Sequence, residues 1–173
     1  MNLQYINMAI NTDNDFISLV KQVSHVLKEL GWTIGVVESC TGGWLAKSCT
    51  DLAGSSTWFD CGFVTYSNES KQKLVNVNKK TLDTYGAVSE QTAIEMAHGG
   101  LAHSNADMSV AITGIAGPDG GTIEKPVGTV WFAWAIRNQG AKTQKCQFEG
   151  DREHVRLQAV ITALQGIIKN ARD

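Results

Sequence analysis

Apolar side chains recur at Phe16, Leu19, Val20, Val23, Val26, Leu27 and Leu30. Spacings of three and four place them on one face and predict an amphipathic helix over 15–30, with Asn14 or Asp13 as cap and Gly31 as stop. The period then changes. Thr33 to Val37 is a short β-rich run that ends at Glu38-Ser39-Cys40-Thr41-Gly42-Gly43, and Trp44, Leu45, Ala46 and Leu52 beyond it predict another helix. A second extended run, Trp58 to Tyr66, passes through Ser67-Asn68-Glu69 into a short helical stretch ending near Leu74 and Val75. Ser89 then caps a helix from about Glu90 to Ala102, whose face is made by Ala93, Ile94, Met96, Ala97 and Leu101.

Met108 to Thr113 reads as a buried strand. It discharges into Gly114-Ile115-Ala116-Gly117-Pro118-Asp119-Gly120-Gly121, where four glycines and a proline exclude a helix. Gly128 to Ile136 and Ala141 to Phe148 predict a β-hairpin through Asn138-Gln139-Gly140, and Asp151 opens a long helix carrying Val155, Leu157, Val160, Ile161, Leu164, Ile167 and Ile168. The pattern is α/β with a mixed β-sheet flanked by helices. Residues 1–13 read as an N-terminal extension and 14–173 as one domain, because 173 residues with 43% hydrophobic content support a single core.

Charge changes the picture by exclusion. With 15 Lys plus Arg against 17 Asp plus Glu, the net charge is -2 and no basic block stands out, so no nucleic-acid partner is expected. No apolar run approaches the ~20 residues of a membrane span, and no leader is visible, so the expected site is the cytoplasm, with no membrane partner. Four cysteines without CxxC spacing suit a reducing compartment, and four histidines without HExxH or a similar pair supply no metal site. Neither metal nor cofactor is expected. The apolar content makes a homo-oligomer plausible. Trp44, Trp58, Trp131 and Trp134 lie among apolar residues, which points to core or oligomer contacts rather than to base stacking.

Ser39 stands where a strand hands over to a helix, and Thr41-Gly42-Gly43 beside it can present main-chain N–H groups to an oxyanion. Ser39 or Thr41 as a plain helix cap is the competing reading. A serine nucleophile needs a base. No GxSxG elbow and no suitably placed histidine exist, which leaves lysine, provided burial lowers its pKa from about 10.4 toward neutrality. Lys71 follows an apolar strand and the turn Tyr66-Ser67-Asn68, so it can sit at the sheet end beside Ser39; an ordinary solvated lysine such as Lys73 is the alternative. Ser70-Lys71-Gln72-Lys73 fits SxxK only formally, since no SDN or KTG partner exists. The glycine loop meets neither nucleotide fingerprint. Gly114, Gly117, Gly120 and Gly121 can still bring N–H groups to a phosphate, with Thr113 adding a hydroxyl and Asp119 reaching a ribose hydroxyl or an amide; a plain surface loop competes. Gly150-Asp151-Arg152 is a further anion-compatible turn, and Cys40 is a rival nucleophile.

Taken together, ESCTGG at 38–43, AGSS at 53–56, GFVTYSN at 62–68, GAVS at 86–89, TGIAGPDGG at 113–121, KPVGTV at 125–130 and GDR at 150–152 resemble the CinA C-terminal domain family, the nicotinamide-nucleotide amidases. The likeness runs in order from about Asp15 to the last helix. It implies a three-layer α/β fold and hydrolysis of nicotinamide mononucleotide to nicotinic acid mononucleotide and ammonia, with no cofactor. It also implies Ser39 as nucleophile, Lys71 as base and Tyr66 as an aid to proton transfer or lysine orientation. Substrate would be held by Thr41, Gly42, Gly43, Asn68, Thr113, Gly114, Gly117, Asp119, Gly120, Gly121 and Arg152. The chain looks like the stand-alone form of that domain. A non-catalytic nucleotide-binding or regulatory module is the alternative that such a fold leaves open.

Overall fold

The computed structural model describes residues 13–173. Along the chain come α1 (Asp13–Leu30), β1 (Ile34–Glu38), α2 (Trp44–Thr50), a 3-10 turn (Ser55–Thr57), β2 (Phe59–Val64), α3 (Asn68–Val75), α4 (Lys79–Tyr85), α5 (Glu90–Ala102), β3 (Met108–Gly114), β4 (Thr129–Ile136), β5 (Ala141–Gln147) and α6 (Arg152–Arg172). Asp13, assigned to the extension from sequence, lies inside α1; the rest of that segment falls outside the described residues.

The five strands form one sheet in the order β2-β1-β3-β4-β5. β1 is parallel to both β2 and β3, whereas β3-β4 and β4-β5 are antiparallel. The central strands β1 and β3 are buried on both faces, which is why they read as mainly apolar rather than as alternating. Ile34, Val36, Met108, Val110, Ile112, Phe132 and Trp134 pack on α1, α2 and α6. Val37, Ala111, Ala133 and Ala135 face α3, α4 and α5 across a second, smaller core. The result is a three-layer α/β domain. Among the described residues no helix is long and apolar enough to cross a membrane.

Small residues set how close the layers come. A Cβ on Gly166 of α6 would run into the Trp134 ring, whose indole N–H donates to the Ala163 carbonyl at 3.2 Å. A Cβ on Gly99 of α5 would meet the Val75 carbonyl at the end of α3. Helix α4 has no counterpart in the sequence reading: Asn78 caps it, but Leu82 is its one buried side chain, so it carries no apolar stripe. The expectation for the tryptophans holds for Trp58 and Trp134, which are buried, while Trp44 and Trp131 each carry a cation over the ring, Arg156 and Lys145 respectively.

Because β1 has a parallel neighbour on each side, the loops after the central strands diverge at the sheet's C-terminal edge. Open α/β sheets place ligand crevices at that point. Ser39 follows β1 there, Thr65 follows β2, and the glycine loop follows β3.

Candidate active site

Thr65 ties the ends of the two strands together by donating its main-chain N–H to the Glu38 carbonyl at 2.7 Å. Directly after it, Ser67 caps α3: its hydroxyl accepts from the Ser70 N–H, and the Ser70 hydroxyl reciprocates on the Ser67 N–H. This tight entry aims Lys71, on the first turn and a half of α3, back at the sheet edge. Its Nζ lies 3.0 Å from Ser39 Oγ and donates to the Thr65 carbonyl at 2.7 Å. Lys71 is only 1% exposed. Burial pushes its ammonium pKa down to about 8, since the charged form loses hydration without gaining a carboxylate partner.

The neighbouring thiol behaves oppositely. Burial pushes Cys40 up to about 12, so it is a thiol at neutral pH and a poor nucleophile.

The turn after Ser39 is built differently from the sequence expectation. Neither Ser39 nor Thr41 caps α2; its N-cap is Gly43, which has φ 95° and no side chain to offer. The anion at that helix end is the protein's own. Glu38 is fully buried, and its carboxylate accepts from the N–H groups of Gly43 at 3.0 Å, Leu45 at 3.1 Å and Ala46 at 2.8 Å. The Gly42 N–H donates to the Ser39 carbonyl at 3.1 Å. Thr41 keeps its N–H clear of any acceptor among the described residues, while its hydroxyl is buried and also unpartnered among them.

From α6 come two arginines one turn apart. Arg156 donates through Nε to the Cys40 carbonyl at 3.1 Å and through Nη2 to the Thr41 carbonyl at 2.8 Å, with its guanidinium 5.2 Å from the Trp44 ring centre. Arg152 donates to the Gly117 carbonyl at 2.8 Å and to the Tyr66 hydroxyl at 2.9 Å. Tyr66 therefore lies at the exposed rim on Arg152, and the group that fixes the Lys71 amine is the Thr65 carbonyl.

Other residues singled out from sequence fall into two sets. Thr113 and Gly114 are structural at the end of β3: the Thr113 hydroxyl donates to the Ala87 carbonyl at 2.8 Å, and Gly114 lets the Thr129 carbonyl and Val130 pack closely. Asn68, Asp119, Gly120 and Gly121 are exposed. Gly117 is buried, and its peptide bond to Pro118 is cis.

The sequence model of the CinA C-terminal domain matches residues 17–171. The chain belongs to the CinA C-terminal domain family. Within it, the chain is 55% identical over 155 residues to the nicotinamide-nucleotide amidohydrolase PncC of Escherichia coli (strain K12), covering 89% of this chain and 93% of that one. It is 56% identical over 153 residues to the nicotinamide-nucleotide amidohydrolase PncC of Enterobacter agglomerans, covering 86% and 93%. The crystal structure of competence/damage inducible protein CihA from Agrobacterium tumefaciens superposes with a TM-score of 0.88 at 43% identity, covering 91% of this chain and 96% of that one.

The sequence reading gives Arg156 no place, and Glu38 no role beyond opening the ESCTGG motif. Each gave a faint signal: Glu38 is a carboxylate at the end of an apolar strand, and Arg156 interrupts the apolar stripe of the last helix one turn after Arg152. Their partners are main-chain groups of the turn after Ser39 and the start of α2, so residue type alone does not reveal the pairing.

Proposed function

We propose that this chain is an amidohydrolase that converts nicotinamide mononucleotide to nicotinic acid mononucleotide and ammonia through an acyl-enzyme on Ser39, with Lys71 as base. The observation that carries the reading is the buried 3.0 Å approach of the Lys71 amine to the Ser39 hydroxyl; the identities with the nicotinamide-nucleotide amidohydrolases PncC support a nicotinamide nucleotide as substrate.

The uncharged Lys71 amine takes the Ser39 proton as Oγ attacks the carboxamide carbon. Oγ–C forms, and the carbonyl π electrons move to oxygen. Collapse of the tetrahedral species breaks the C–N bond, and the Lys71 ammonium returns the proton to the departing nitrogen, which leaves as ammonia. Water then attacks the Ser39 ester with Lys71 again as base, releasing the carboxylate and restoring the hydroxyl. Burial supplies what the base needs: with a pKa of about 8, roughly a tenth of the lysine is uncharged at neutral pH, against less than ~0.1% for a solvated one. Arg152, with the exposed glycines 120 and 121, is suited to hold the phosphate at the rim.

Ammonia release from nicotinamide mononucleotide tests the proposal. Wild type turns over, and Ser39→Ala loses at least ~10³-fold in kcat. A Ser39→Ala variant that keeps its rate would rule the nucleophile out.

A further inference from the structure

We propose that the Thr41 main-chain N–H is the oxyanion donor and that Arg156 is the positioning residue that aims it, an inference that rests on the amidohydrolase reading above. Elimination narrows the donors first. Around the nucleophile turn the N–H of Gly42 is spent on the Ser39 carbonyl, those of Gly43, Leu45 and Ala46 on the Glu38 carboxylate, and that of Trp44 on the Thr41 carbonyl at 3.3 Å. Two N–H groups remain without an acceptor oxygen among the described residues, those of Cys40 and Thr41, and of these the Thr41 N–H, on the second residue after the nucleophile, is the one whose own peptide plane Arg156 holds, through the Cys40 carbonyl.

Peptide geometry then says what holds it. In a trans peptide the C=O and the following N–H point in opposite directions within one plane. Fixing the Cys40 carbonyl on the α6 side therefore fixes the Thr41 N–H on the other side, away from the helix. Arg156 does this at 3.1 Å, and its second contact, 2.8 Å to the Thr41 carbonyl, pins the next peptide plane too. A planar fork suits two successive carbonyls in a way a lysine ammonium does not. The fork is itself braced by the Trp44 ring at 5.2 Å. Above it, Gly42 at φ 62° leaves the Nη2 group 3.6 Å from where a Cβ would stand. With Nε and Nη2 both donating to main-chain carbonyls, Arg156 holds the turn in place. Pre-aimed donors of this kind need no reorganisation as charge develops on the carboxamide oxygen.

Steady-state kinetics of Arg156→Ala and Arg156→Lys in the full chain, with nicotinamide mononucleotide as substrate, tests the inference. Arg156→Ala is expected to lose ~10²-fold in kcat with KM within about threefold of wild type. The midpoint of the acid limb stays at the wild-type value, because Lys71 is untouched. Arg156→Lys recovers less than about tenfold, and added methylguanidinium raises kcat of Arg156→Ala but not of wild type. A kcat within about threefold of wild type, or a KM increase at unchanged kcat, overturns the inference. Should Arg156→Ala fail to fold, Trp44→Leu removes only the brace: a kcat loss of about tenfold at constant KM supports the inference, and unchanged kcat overturns it. If wild type releases no ammonia, the amidohydrolase reading itself falls. An active wild type with indifferent Arg156 variants removes only the positioning role.

Discussion

In the proposed mechanism, catalysis and stability pull in opposite directions at Lys71. Its amine titrates near 8 in the fold against 10.5 for the ordinary group, so between those values the unfolded chain binds more protons than the folded one. Wild-type stability therefore rises with pH across that window, and below it the buried ammonium costs roughly 3 kcal/mol. Lys71→Met removes that cost, and it also deletes the hydrogen bonds to Ser39 and Thr65, worth about 1 kcal/mol each. The variant is accordingly expected to be inactive yet about 1 kcal/mol more stable than wild type at neutral pH. The order reverses near pH ~9, where the falling ammonium cost drops below the worth of the two lost bonds, and above 10.5 only the lost bonds remain. Denaturant melts at several pH values check the crossing; a constant difference across pH would show that Lys71 titrates as a solvated lysine. Ser39 and Lys71 were legible in the sequence through their motifs, since a serine in a glycine turn and a lysine after an apolar strand suggest a pair without guaranteeing contact. Glu38 and Arg156 were not, because what they bind is main chain, which has no sequence signature.

Elements were legible in proportion to their apolar periodicity. α1, α5 and α6 each bury a stripe that recurs every three or four residues, and β1 and β3 are short, mainly apolar runs; the starts of all five were read within two residues. α4 was missed because tertiary position, not pattern, makes it a helix: Asn78 caps it, and the Asn78 N–H and Thr81 hydroxyl both donate to Glu95 of α5 at 2.7 and 2.6 Å. Close packing was likewise invisible. Gly166 reads as an ordinary helix glycine, yet it is where α6 seats on Trp134. Alanine is the better helix former by about 1 kcal/mol, so Gly166→Ala would stabilise a free helix; here overpacking wins. The expected loss is about 2 kcal/mol net, which lowers Tm by roughly 4–8 °C in a domain this size. Unchanged or raised Tm in a thermal melt would mean that α6 does not sit against the ring.

On the scale of the molecule, three loops from the C-terminal edge of the sheet are gathered by one helix. Arg156 takes the nucleophile turn, Arg152 takes the glycine loop and the Tyr66 rim, and the Thr65 carbonyl takes the lysine. Mixed topology makes this possible: β1 and β3 run parallel and deliver their loops to the same edge, while the β4-β5 hairpin brings the chain round so that α6 starts there. The three-layer α/β plan was legible from the order of elements, but the meeting of Ser39 with Lys71 depends on β2 pairing beside β1, which no local pattern specifies. The central claim is that an uncharged, buried Lys71 removes the Ser39 proton, and the pH dependence of kcat for ammonia release tests it most directly. The account predicts a rate that climbs about tenfold per pH unit on the acid side and levels off above about 8. A profile that is flat through neutrality, or that keeps climbing to the 10.5 of an ordinary lysine, would contradict it.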